Sequence, residues 1–158
     1  MILFEPLDPS LSYACLEQLL NIEKACFSSV WSEQQIQQQL SNTHSLNFAL
    51  YSQQQMVGFI FFKALFEDAE ILQIAIKPSH QNEGFGQLLI EQSLAFMKSL
   101  KRTQPIERIL LEVRSSNTPA IHLYKKIGFS LDGVRKNYYP AENKGEVKED
   151  AHLYSVNV

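Results

Sequence analysis

The sequence predicts an α/β protein with a mixed sheet and helices on its faces. Two observations predict this. The hydrophobic period switches between helical spacing and strand alternation along the chain. The segments fall in the order α-α-β-β-β-α-β-α-β-β, which suits a layered sheet-and-helix architecture. At 158 residues, 45% hydrophobic and 20% charged, the chain has the size and composition of one globular domain over residues 1–158. A chain of this size buries roughly 68–70% of its unfolded surface, enough for a core without staples.

Each element has a local reason. Leu11, Cys15, Leu16, Leu19, Leu20, Ile22 and Cys26 recur at mostly helical spacing and predict an amphipathic helix over 11–26. Ser32 is a candidate N-cap for a second helix, whose Gln-rich stretch forms a polar face. Residues 46–51 and 56–64 read as strands joined through the polar turn Ser52-Gln53-Gln54-Gln55. A third strand over 70–77 ends at Pro78, and a helix follows over 86–101. The near-continuous apolar run at 108–113 suits a buried central strand. Residues 118–127 predict a helix with Pro119 in its first turn, Thr118 as N-cap and Gly128 at the C-cap. Residues 129–135 and 151–158 read as closing strands.

Composition excludes several classes. Main-state disorder and low-complexity architectures do not fit, with only 6 Gly and 6 Pro. No apolar run approaches the ~20 residues of a membrane span, and Met1-Ile2-Leu3-Phe4-Glu5-Pro6 lacks a basic leader. Two cysteines, Cys15 and Cys26, are too few for a disulfide scaffold, and no Cys/His cluster has metal-ligand spacing. A cytoplasmic protein with reduced thiols is the expectation, with no metal and no membrane partner. The net charge of −3 hides an asymmetry. Residues 1–60 hold one basic residue, Lys24, while residues 101–148 hold ten against five acids. This reads either as scattered solvated charge or as an acidic half facing a cationic substrate and a basic half facing an anionic ligand. A pI near 5.8 does not suit a dedicated nucleic-acid binder.

The most informative stretch is Ile74 to Gln87, a glycine-bearing turn between a strand and a helix. Free N–H groups at a helix start favour phosphate, and glycine lets backbone approach it. An ordinary strand-to-helix turn with two glycines is the alternative. Leu89 stands where a dinucleotide fingerprint needs a small residue, and Gly86-Gln87-Leu88 is not a Walker loop.

The pattern Gln81-x-x-Gly84-x-Gly86 resembles the coenzyme A loop of the GNAT acetyltransferase superfamily. Leu111-Glu112-Val113-Arg114, Ser116-Asn117, Ala120 to Tyr124 and Gly128-Phe129 resemble ribosomal-protein alanine N-acetyltransferases (the RimI type) more narrowly. So do Trp31-Ser32-Glu33, Arg135 to Pro140 and Glu149-Asp150-Ala151, so the likeness runs from about residue 16 to 156. It implies the GNAT acyltransferase fold, a mixed and mostly antiparallel sheet flanked by helices on both faces. It implies acetyl-CoA as cosubstrate and a ribosomal-protein N-terminus as acceptor: the N-terminal alanine of the eighteenth small-subunit protein, acetylated by direct transfer in a ternary complex. The cofactor residues it implies are Ile74, Ala75, Ile76, Gln81, Asn82, Glu83, Gly84, Phe85, Gly86, Gln87 and Asn117. Trp31, Gln73, Tyr138 and Tyr139 are implied on the acceptor side.

Acetyl transfer needs a neutral amine, a stabilised oxyanion and a proton for the departing thiolate. Glu112, at the end of an apolar strand, is the candidate base, and the resemblance places it on the family's proton acceptor. Its alternative is a solvated strand position or a partner for Arg114. Tyr124 falls on the family's proton donor, and a phenol with an ordinary pKa of ~10 is protonated at neutral pH. Its alternative is the apolar stripe of a core helix. The family usually carries basic residues where Asn82 and Gln87 stand, and Pro where Val30 stands. Other readings are acetylation of another protein N-terminus, a lysine or a small amine, and a non-catalytic acyl-CoA-binding domain.

Overall fold

The structure, a computed structural model, describes residues 1–158. The elements are β1 (Ile2–Pro6), α1 (Tyr13–Cys26), α2 (Glu33–Ser41), β2 (Ser45–Ser52), β3 (Gln55–Leu65), β4 (Asp68–Ile76), α3 (Phe85–Ser99), β5 (Arg108–Arg114), α4 (Thr118–Ile127), β6 (Ser130–Tyr139) and β7 (Glu149–Asn157). One 3₁₀ turn, Pro78–His80, leads from β4 towards α3. The seven strands form one sheet in the order β1-β2-β3-β4-β5-β7-β6. Every neighbouring pair is antiparallel except β4 and β5. No helix is long and apolar enough to cross a membrane.

The sheet is covered on both faces, so its central strands are apolar on both sides. Along β3, Met56, Phe59 and Phe61 join Leu19, Ile22, Ile36 and Leu40 of α1 and α2. Val57, Ile60 and Phe62 join Leu89, Ile90 and Met97 of α3 on the opposite face. Phe59, Ile60, Phe61 and Phe62 are fully buried, each worth about 1.5–3 kcal/mol of side-chain transfer. This two-sided burial explains the unbroken run from Met56 to Phe62.

The helix signals work as physical devices. Ser32 and Gln35 form a reciprocal capping box at the start of α2. Gly128 closes α4 with φ 115°, in the left-handed region, and its N–H donates to Tyr124 O and Lys125 O. The α1 helix begins at Tyr13 rather than Leu11, because the Ser12 side chain caps it by accepting from the Cys15 N–H.

Three sequence expectations change. Asn117, not Thr118, is the N-cap of α4, and its Oδ1 accepts from the Ala120 N–H at 3.3 Å. A cap reaches three residues along, and from Asn117 that position is the free N–H of Ala120, past Pro119. β1 is a strand the pattern did not reveal, since Ile2, Leu3 and Phe4 do not alternate with polar residues. β6 runs on to Tyr139, through exposed Arg135, Lys136 and Asn137 that carry no apolar period.

Candidate active site

The site begins with an irregularity in β4. Its register against β3 runs Phe62 to Ile71 and then Phe61 to Gln73, leaving Leu72 as an extra residue. Such a bulge bends a strand and turns its later side chains over. Ala69 and Ile71 accordingly pack with α3, whereas Leu72 and Ala75 pack with α1 and α2. β5 follows β4 only from Asp68 to Ile71, against Arg108 to Leu111. Beyond that point β5 stays paired with β7 through Arg114, and β4 stays paired with β3 through Ile76. The edges of β4 and β5 that faced each other part, and Glu112 is the first β5 residue past the split.

The gap opens into a cleft of about 480 Å³. Ile74 and Ile76 of β4 form one wall. Gln81, Asn82, Gly84, Phe85, Gly86 and Gln87 form its end, and Asn117 and Tyr124 of the α4 segment form the other wall. Of the expected cofactor residues, Ala75 and Glu83 do not line it. Ala75 is buried towards α1, so only its backbone edge remains, and Glu83 is turned to solvent.

The loop geometry fits an anion. Gly84 is the N-cap of α3 with φ 84° and no side-chain cap, leaving the first N–H groups of the helix without an internal partner. Asn82 is also left-handed, at φ 62°. Gln81 Nε2 donates to Ile76 O at 2.9 Å, pinning the loop to the end of β4. A Cβ on Gly86 would stand 3.1 Å from Leu123 Cδ2, so glycine there lets α3 and α4 close around the cleft. Donors of this kind, together with the open backbone edge of Gln73–Ile76, suit a diphosphate followed by an extended amide-bearing arm. Lys126, His80 and His122 also line the cleft and were not among the sequence candidates. Lys126 is a cationic side chain in the lining, whereas Asn82 and Gln87 are uncharged. No group of three or more His, Cys, Asp or Glu is arranged to hold a metal.

Tyr124 is buried on α4 yet reaches the cleft, with its ring 5.6 Å from that of Phe129. Burial, and then Tyr139, pushes its phenol up to about 12. It is therefore a protonated donor throughout the neutral range. Glu112 faces away from the α3 cluster, partly exposed, with Oε1 3.4 Å from Arg135 Nη1. Its charge raises the phenol of Tyr139, after burial, and also raises the Glu70 carboxyl, again after burial. Tyr139 thus sits within electrostatic reach of both Glu112 and Tyr124.

The acceptor-side candidates separate into two groups. Tyr138 and Tyr139 meet edge to face, with centroids 5.1 Å apart. Arg135 lies over the ring of Tyr138 and Arg114 over that of Tyr139, at 5.2 and 4.5 Å. Trp31, between α1 and α2, stacks on Phe61 at 5.8 Å. Gln73 is buried, and its Nε2 donates to Glu23 Oε1 at 3.0 Å. Glu23 was missed by the sequence reading, although its signal was present. It lies four residues after Leu19 and one after Ile22, within the apolar stripe of α1. Cys26 donates its thiol to Ile76 O at 3.2 Å, and burial followed by Glu23 pushes that thiol up, so it stays protonated at neutral pH.

Comparison with known proteins gives the family and the fold. The family model described as Acetyltransferase (GNAT) family matches residues 16–129. A [ribosomal protein bS18]-alanine N-acetyltransferase of Haemophilus influenzae is 35% identical over 133 residues, 84% of this chain and 87% of that protein. Its namesake in Escherichia coli K12 is 29% identical over 149 residues, 94% of this chain and 95% of that one. The crystal structure of the ribosomal-protein-S18-alanine N-acetyltransferase from Escherichia coli superposes with a TM-score of 0.83, covering 99% of this chain and 94% of that chain at 29% identity. Arabidopsis thaliana NAA60 in complex with acetyl-CoA shares the fold at a TM-score of 0.83 and 17% identity, covering 100% of this chain and 99% of that chain. Matched over these lengths, the chain belongs to the GNAT acetyltransferase family and is an acetyl-CoA-dependent N-acetyltransferase.

Proposed function

We propose that this enzyme acetylates the N-terminal alanine of ribosomal protein bS18, with Glu112 as general base and Tyr124 as general acid. The observation that carries the assignment is the split between β4 and β5. Beyond Ile71 the β4 edge has no strand partner, Glu112 is the first β5 residue past that point, and Tyr124 lines the cleft with Ile74 and Ile76, which together support these roles. Bound acetyl-CoA supplies the acyl group as a thioester.

The residues then divide the work. The amide groups at the start of α3 hold the phosphates, with Lys126 beside them, and the edge of β4 orients the arm. The amine enters neutral, and Glu112 takes the one proton its nitrogen sheds on attack, directly or through water; that proton afterwards returns through solvent to the Tyr124 phenolate. An N-terminal amine with a pKa of ~7.7–8.0 asks little of that base. The nitrogen forms its bond to the carbonyl carbon while a backbone N–H of β4 donates to the carbonyl oxygen. The carbon–sulfur bond breaks, and Tyr124 gives its hydroxyl proton to the sulfur. Trp31, Tyr138 and Tyr139 border the entering peptide, and the acidic N-terminal half suits a basic tail. A ribosomal acceptor places the reaction in the cytoplasm.

Mass spectrometry after incubation with acetyl-CoA tests the assignment on three peptides. They are the free N-terminal sequence of bS18, the same peptide blocked, and an unrelated peptide with an internal lysine. The expected result is one added acetyl group on the free bS18 peptide alone. Acetylation of the lysine peptide alone discards the acceptor assignment.

A further inference from the structure

A fully buried carboxylate outside the cleft joins the pieces of the acceptor side. Glu23 on α1 is 0% exposed. Its Oε1 accepts from the Trp31 backbone N–H at 2.8 Å and from Gln73 Nε2 at 3.0 Å. Trp31 belongs to the α1–α2 connection, and Gln73 is the residue at which β4 leaves its bulge. A single oxygen therefore fixes that connection to the strand whose edge opens beside Glu112. Glu23 Oε2 and Gln73 Oε1 are buried without a partner. Burying a carboxylate is costly, and more so with acceptor capacity unmet. An apolar side chain like its neighbours Leu19 and Ile22 would pack on that face without the cost. None of Glu23, Trp31 and Gln73 lines the cofactor cleft.

We propose that Glu23 is a positioning residue for the acceptor. It sets the α1–α2 connection against Gln73 and thereby the path of the amine towards Glu112. The inference rests on the reading that the acceptor enters on this side. It predicts a division that a general stabilising role does not: acceptor binding depends on Glu23 and acetyl-CoA binding does not.

The test compares Glu23→Ala with Glu23→Gln in the full chain. The glutamine keeps an oxygen for the Trp31 and Gln73 N–H groups and brings an N–H that can meet Gln73 Oε1. Trp31 is the only tryptophan, so acrylamide quenching of its fluorescence reports on the connection without any catalysis. In Glu23→Ala the acceptor KM is expected to rise about tenfold or more, the acetyl-CoA KM to stay within about twofold, and quenching of Trp31 to increase. Glu23→Gln is expected to restore all three. Equal rises in both KM values overturn the proposal. So does unchanged Trp31 quenching, or a glutamine variant as impaired as the alanine. If Glu23→Ala does not fold, Gln73→Ala removes one arm alone, and an unchanged acceptor KM there overturns it. The kinetics use whichever peptide the wild type acetylates, so loss of the bS18 assignment and loss of this one give different results. If the wild type acetylates none of them, the acceptor assignment falls and Trp31 quenching alone decides whether Glu23 holds the connection.

Discussion

The two halves of β4, Asp68–Ile71 and Gln73–Ile76, belong to one strand and have opposite duties. From Asp68 to Ile71 the strand is paired on both sides, and its first residue is clamped by a bidentate ion pair to Arg108, at 3.0 and 2.9 Å. From Gln73 to Ile76 it is paired on one side only. One inserted residue, Leu72, divides them. A binding edge inside a sheet is made by ending a ladder early, with the remaining pairing left intact. Perturbing the first half should therefore move stability, and perturbing the second half should move chemistry.

The largest effect expected on the chemical side comes from Glu112→Gln. Its kcat should fall about 10²- to 10⁴-fold with the acetyl-CoA Kd nearly unchanged, as stopped-time assays and calorimetry would show. Wild-type turnover at neutral pH would remove Glu112 from the chemistry and break the comparison at its centre. Deleting Leu72 should come next. Ile71 and Gln73 would then alternate across the faces as they already do, so the sheet can persist while the bend is lost. Acetyl-CoA affinity should drop about tenfold or more with native-like circular dichroism, and retained affinity would show that the bulge does not create the cleft.

Tyr124→Phe should slow kcat by about ten- to a hundredfold while the fold is kept. A large fall in Tm with unchanged kcat would instead place Tyr124 in the core alone. The pH profile sharpens this. With the phenol raised to about 12, the proton donor is retained through pH 10, so kcat should show no alkaline loss near an ordinary tyrosine value. The smallest effect belongs to the first half of β4. Asp68→Asn should cost no more than about 1 kcal/mol, because the pair is solvent-exposed, and leave kcat untouched. The Arg108 guanidinium beside it lowers the Asp68 carboxyl, with the hydrogen bond as the main cause. Its contribution is therefore fully present above the unfolded value of 3.8 and fades as pH falls through the lower folded value. The difference in Tm between the variant and wild type should close in acid.

The parts legible from sequence were those with a period or a turn residue. Thr118–Ile127 was bounded correctly because Pro119 and Gly128 mark its ends, and Ser32 marked the start of α2. The glycine loop was legible because Gly84 needs a positive φ that few residues tolerate. The bulge was invisible, since Ile71-Leu72-Gln73-Ile74 alternates no differently from a regular strand and only the partner strand reveals the extra residue. Glu23 hid for a related reason. Its burial depends on Trp31 and Gln73, which lie eight and fifty residues away. Lys126 was seen as charge and not as cleft wall, because the packing of α4 against α3 decides which side it takes.

The rims of the sheet carry a consequence for how the molecule meets its own copies. β6 pairs with β7 through a ladder interrupted twice, between Leu131 and Gly133 and between Arg135 and Tyr139. Asn137 adds a left-handed kink at φ 53°, and Arg135 and Lys136 stand exposed on the strand. The opposite rim, β1, is five residues long and ends in Pro6, which has no N–H to offer. Neither border presents a long, flat row of free amides and carbonyls for another chain to copy. Crowding would therefore bring copies of this chain together as colliding bodies, without a template for fibre growth.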